Sequence, residues 1–155
     1  MSLSLTQAKI TPAKGQAAFL PNQPILHNCI VDPSEASPLE PGAVVTFSTT
    51  TLTDQTVVTQ AAVTDEPCGV VAYNPIKSGF AAGEKVSIFP IGSFVYMEAA
   101  AATIVNGEHV GFNSSNQVVT DSTATHYTLG TLYTQAGAAG DMVVVRIQPE
   151  LIPSA

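Results

Sequence analysis

Four segments of this 155-residue chain share one pattern: a glycine, a valine three positions later and an apolar residue at the fifth. They are Gly42-Val45-Phe47, Gly83-Val86-Ile88, Gly107-Val110-Phe112 and Gly140-Val143-Val145. Glycine takes the positive φ of a tight turn without steric cost, and positions +3 and +5 share one face of the strand that follows. The pattern therefore predicts four turn-and-strand units, each with one buried face. Gly69 in Cys68-Gly69-Val70-Val71 and Gly130 in Leu129-Gly130-Thr131-Leu132 open a second kind of strand. Val57-Val58-Thr59 begins twelve residues before Gly69, and Val118-Val119-Thr120 twelve before Gly130. This order divides the chain into similar halves, near 41–92 and 106–148. Their differences in length fall at 48–56 against 113–117 and at 74–82 against 134–139, as hairpin insertions would. We read a duplicated β unit folded as one barrel or sandwich. Glu84, Glu108 and Asp141 each follow a turn glycine, where a carboxylate is placed to accept backbone N–H bonds.

The rest of the chain from residue 41 onward is also β in character. Val and Thr dominate, both stiff at χ1 and suited to a pleated, half-buried surface. Period-2 patterning recurs in Val45-Thr46-Phe47, Val86-Ser87-Ile88, Phe94-Val95-Tyr96-Met97 and Val143-Val144-Val145-Arg146-Ile147. Only residues 97–105, with their alanine run, offer a helical turn or two. Short strands with regular turns predict an all-β small barrel or sandwich, a single domain over residues 41–155. Residues 1–40 differ. Residues 1–41 hold Pro12, Pro21, Pro24, Pro33, Pro38 and Pro41, six of the chain's eleven prolines, which forbid a long helix or central strand in this region. Residues 1–31 hold Lys9 and Lys14 and no acid, against a balance of 3 − 12 = −9 over residues 32–155. We read 1–40 as an extended, mildly basic arm, laid on a neighbouring subunit or packed on its own domain.

Several function classes are excluded. The net charge is −7, and no two of the five basic residues are adjacent, so nucleic acid is not the main partner: phosphate neutralisation needs clustered Lys and Arg. No stretch approaches the roughly 20 apolar residues of a membrane-spanning helix, and no membrane partner is expected. The start, MSLSLTQAKITPAKG, lacks the pattern of a secretory signal, so the chain is expected to be made in the cytoplasm. There Cys29 and Cys68 are expected to be free, buried thiols. No nucleophile elbow, phosphate loop or paired metal-ligand motif occurs. His27, Cys29 and Cys68 fall short of the four ligands of a structural zinc site, so no metal and no cofactor is expected. Asp65-Glu66-Pro67 reads as a solvated turn. No enzyme is expected. With 11 % charged residues, well under the usual quarter or so, part of the surface is expected to be covered by partner subunits.

The succession Pro41-Gly42-x-x-Val45, Cys68-Gly69-Val70-Val71-Ala72, Ala82-Gly83-Glu84-x-Val86, Asn106-Gly107-Glu108-x-Val110-Gly111-Phe112 and Gly140-Asp141-x-Val143-x-Val145 resembles the capsid decoration, or cement, proteins of tailed bacteriophages over residues 40–148. The resemblance implies an all-β structural virion protein with no catalytic residues. Such a protein is made in the host cytoplasm and adds to the outside of the expanded head. Its partner is the major capsid (coat) protein, whose neighbouring subunits it locks together. It is expected to be a homo-oligomer, a trimer rather than a dimer. Its N-terminal segment orders on the shell, which makes Lys9, Lys14 and Phe19 the candidate capsid contacts. Gly42, Gly69, Gly83, Gly107, Gly130 and Gly140 are structural turn positions. Two other functions stand beside this one. The first is a carbohydrate- or receptor-binding β module of a tail or fibre. The second is an enzyme with a site between subunits, for which His126 with Asp121 is the conjunction to test.

Overall fold

The computed structural model describes residues 12–20, 22–102 and 104–154. Among these there are ten strands and no helix: β1 Leu26–Val31, β2 Val44–Phe47, β3 Val57–Gln60, β4 Gly69–Val71, β5 Lys85–Pro90, β6 Phe94–Ala99, β7 His109–Phe112, β8 Gln117–Val119, β9 Gly130–Leu132 and β10 Met142–Ile147. The all-β expectation is met, and so is the duplication, but in a form that the glycine pattern did not show. The strands close into two five-stranded barrels, in the orders β1-β3-β2-β4-β5 and β6-β8-β7-β9-β10. In each barrel the first strand runs parallel to the third and antiparallel to the fifth. The second strand lies between the third and the fourth.

Three expectations change. One barrel becomes two, because each half recruits a strand that lies outside the glycine-marked halves. In the first barrel that strand is β1, drawn from what reads in sequence as the arm. In the second it is β6, whose Val95, Met97 and Ala99 alternate into the core, so residues 97–99 are strand and 100–102 a bend where a helical turn was expected. The third change is in register. Val58 lies opposite Phe47 and Val118 opposite Phe112, so the counterpart of Val118 is Val58 and not Val57.

The glycines do two different jobs. Gly42, Gly83, Gly107 and Gly140 have φ between +77° and +88°, each in a turn closed by a backbone bond from the next residue to the carbonyl three before it. Gly69 and Gly130 sit in strands, where a Cβ would collide with the carbonyl oxygens of Phe89 and Arg146. Phe89 and Arg146 are equivalent in the two barrels, so the close approach is itself duplicated.

The first barrel is filled by Val31, Val45, Val58, Val71, Val86 and Ile88, among others. Its outward-facing Val44, Val70, Ala72 and Phe89 join a second cluster that is continuous with the interior of the second barrel. Burying each of the valines and Phe89 contributes about 1.5–3 kcal/mol, so this shared cluster holds the barrels together beside the first barrel's own interior. Three of the four +5 residues are buried, Phe112 at 1 % exposure among them, but Phe47 is 59 % exposed.

Residues 13–20 lie on their own chain. β8 pairs only with the end of β6, which leaves the start of β6 with a free edge. Gly15 N donates to Tyr96 O (2.8 Å), Ala18 N to Phe94 O (2.9 Å) and Tyr96 N to Gln16 O (2.9 Å) across that edge. Tyr73 N donates to Gly15 O (2.8 Å), which ties the same segment to the first barrel.

Candidate docking surfaces

The candidate contacts among the described residues fall on two different parts of the molecule. Lys9 lies outside the described residues. Lys14 runs its aliphatic stem over Gly42, where a Cβ would collide with Lys14 Cγ. It borders an open groove with Pro41, Tyr73, Pro75, Ile76 and Lys77. Asn74 Oδ1 accepts from Ile76 N (2.8 Å) and Lys77 N (3.2 Å), an Asn-seeded turn that turns Ile76 outward, 91 % exposed. Lys77 Nζ meets Glu84 Oε1 at 2.6 Å and stands 5.6 Å from the centre of the Phe80 ring. That contact, helped by Ala81 N, holds the Glu84 carboxyl below the usual carboxylate range. Two of the chain's five basic residues, Lys14 and the Glu84-paired Lys77, thus border one groove of mixed polar and apolar lining that also holds Glu40.

Phe19 lies on the other barrel. It is 58 % exposed at φ +59° and stacks on Phe94 (5.6 Å between centroids) and Tyr133 (6.3 Å). Phe94 and Tyr133 are edge to face at 5.1 Å, and Arg146 Cζ stands 5.9 Å from the Phe94 ring. Gln23 holds the segment in place, donating to Ala18 O (3.0 Å) and Phe94 O (2.7 Å) and accepting from Phe94 N. Lys14 and Phe19 therefore belong to two surfaces and not to one contact.

A third surface lies at the exposed Phe47, beside an acidic groove that includes Asp32, Ser48, Asp65 and Glu66. Asp32 is buried. The Ser34 hydroxyl, then that of Ser48, hydrogen-bond its carboxylate and hold it well below the usual range. Asp65 Oδ2 accepts from Ala62 N (2.9 Å) in a turn over residues 62–65, so the turn lies ahead of Glu66 and Pro67 rather than at Asp65-Glu66-Pro67, and Pro67 is buried.

The other residues singled out in sequence sit as follows. Glu84 accepts from Ala81 N (2.8 Å), Glu108 from Val105 N (3.2 Å) and Asp141 from Ala138 N and Gly137 N (both 2.8 Å), the turn role read for them. Cys29 and Cys68 are free thiols in the interior of the first barrel. Burial, with Cys29 adding to it, pushes the Cys68 thiol up to about 12. His27 is exposed, with Nδ1 3.1 Å from Ser87 Oγ. His126 Nδ1 and Asp121 Oδ2 do meet, at 2.7 Å. The pair anchors the β8–β9 connection, which also binds the C-terminal segment through Thr125 N to Ile152 O (3.1 Å) and Ile152 N to His126 O (2.9 Å). Partial burial opposes ionisation of Asp121, but hydrogen bonds from His126 and Thr123 outweigh it and lower its pKa.

Sequence reasoning missed Ile76, Lys77, Tyr133, Arg146 and Phe47. A usable signal existed for Ile76 and Lys77, because they fall in the 74–82 insertion, where an apolar residue has no barrel to fill.

A family model described as phage cement protein matches residues 39–147, more than two thirds of the chain. No curated protein matches.

Proposed function

Since the chain belongs to the phage cement protein family, whose members are structural and associate with the capsid, we propose that it binds the outer surface of an expanded phage head and locks neighbouring coat subunits together. The observation that carries this reading is the family match itself, which runs from the segment before β2 to the end of β10 and so takes in nine of the ten strands. In this reading the protein is made in the host cytoplasm and acts on the capsid exterior as a homo-oligomer, a trimer in keeping with the family resemblance.

The groove at Lys14, Tyr73, Ile76 and Lys77 is the surface best suited to the coat protein. An exposed isoleucine and tyrosine supply apolar area, and the Lys14 ammonium, with Lys77 already paired to Glu84, is the charge offered to an acidic group of the partner. Lys9, outside the described residues, is kept as a capsid contact in this proposal. Stabilisation follows from mass action. A ligand that binds only the expanded lattice stabilises it by about 2.7 kcal/mol per site at 100 times its Kd, repeated at every site on the shell.

Co-sedimentation with expanded, emptied heads tests this, with unexpanded shells as control. Saturable binding to expanded heads alone is expected. Ile76→Asp combined with Lys14→Glu is expected to weaken it by at least about tenfold. Binding to neither form, or binding that the double variant leaves unchanged, contradicts the reading.

A further inference from the structure

The two barrels are built alike but are unlike in what covers them. Val44, Val70 and Phe89 are cross-strand neighbours on β2, β4 and β5. They point out of the first barrel and are buried in the cluster shared with the second. The same row in the second barrel is His109, Thr131 and Arg146 on β7, β9 and β10, with Phe94 beyond it on β6. There His109 and Arg146 are exposed. What the first barrel gives to its neighbour, the second presents outward.

The receiving ends show the reverse. The second barrel grips the first through the β7–β8 turn and the β8–β9 connection. Asn116 Oδ1 accepts from Val44 N (2.9 Å) and Gln60 Nε2 (2.7 Å), and Tyr127 N donates to Val63 O (2.8 Å). Phe112, which leads into that turn, is buried. Its counterpart Phe47 leads into the β2–β3 connection of the first barrel and is exposed, with Ile91 exposed in the same cleft. Among the described residues, one giving row and one receiving end are thus left open.

Their chemistries are complementary. The row carries Arg146, the chain's only arginine, beside the rings of Phe94, Tyr133 and Phe19. The receiving end sets Asp65 and Glu66 beside Phe47. Aromatic residues and arginine are the types that dominate interface cores.

We propose that a second copy of this chain seats the row His109–Thr131–Arg146, with Tyr133, on the Phe47–Asp65–Glu66 end of the first. The packing of one barrel on the other within a molecule is thereby repeated between molecules. Such a contact is head to tail, so it closes into a ring or continues as a filament. It deepens the homo-oligomer reading above but stands apart from capsid binding. It also places Phe19 at the junction between copies and not against the coat protein.

Sedimentation velocity of the full chain tests this without any phage head. Wild type is expected to associate below about 100 µM. Arg146→Glu and Glu66→Arg are each expected to weaken association by at least about tenfold, because each sets like charges across the contact. Circular dichroism checks that both variants keep the wild-type fold. An equimolar mixture of the two variants regains assembly, because intact and charge-reversed contacts, both complementary, alternate along it. Both substitutions in one chain restore assembly. A monomeric wild type overturns the proposal, as does Arg146→Glu that associates like wild type. Loss of association by Arg146→Glu but not by Glu66→Arg means that the row meets something other than this end, and overturns it too. Loss of head binding by Arg146→Glu with association intact assigns the row to the coat protein, with the same consequence.

Discussion

Glycine serves this chain in two ways that differ in cost when a side chain is added. At Gly83 nothing stands within 4 Å of a would-be Cβ, so alanine meets only the strain of a left-handed φ, about 1–2 kcal/mol. At Gly130 the same methyl collides with the Arg146 carbonyl and must move a strand. Gly130→Ala is therefore expected to lower the urea midpoint well beyond Gly83→Ala; equal effects would remove the close-approach account. Asp32 gives a residue-level test by pH. Its folded-state pKa is depressed, so its contribution is complete above the unfolded value near 4, given as about 3.9 for aspartate. That contribution is lost as pH falls towards the folded value. Asp32→Asn should thus destabilise at neutral pH, and the gap to wild type should narrow in acid. A gap that is constant with pH rules this out. At this scale the sequence was informative wherever one residue and its turn decide the outcome: the four turn glycines and the three turn carboxylates are legible. Phe47 is not, because its exposure depends on what the far end of the barrel meets.

Strands were legible where a turn glycine precedes them, or where a valine pair or an in-strand glycine marks them, and β1 has neither signal. β2, β5, β7 and β10 all follow such a turn, whereas β1 follows Pro24 and carries His27 and Asn28 at an irregular register. The bulge hides the alternation that would mark a strand. The slip at β3 has a similar origin, since Val57-Val58 and Val118-Val119 offer two valines each and only cross-strand pairing selects between them. Residues 15–18 act as a short added strand on β6. Deleting residues 1–11 should leave amide protection at Tyr96 intact. Deleting 1–25 removes four backbone bonds between the segment and the barrels, each worth about 1 kcal/mol net, and Tyr96 should then exchange faster. Hydrogen exchange that is unchanged in the longer deletion contradicts this role.

The molecule as a whole pairs a covered barrel face with an open one. Which surfaces stay open was not legible, because the basic segment divides on folding: Lys14 goes to the first barrel and Phe19 to the second. Family membership supplies the capsid association, and the proposed role adds that binding braces the lattice. Differential scanning calorimetry of expanded, emptied shells with and without saturating protein tests that step most directly. The account predicts a higher melting temperature for saturated expanded shells and no shift for unexpanded ones. Shells that bind the protein to saturation yet melt at an unchanged temperature would show that it coats the head without cementing it.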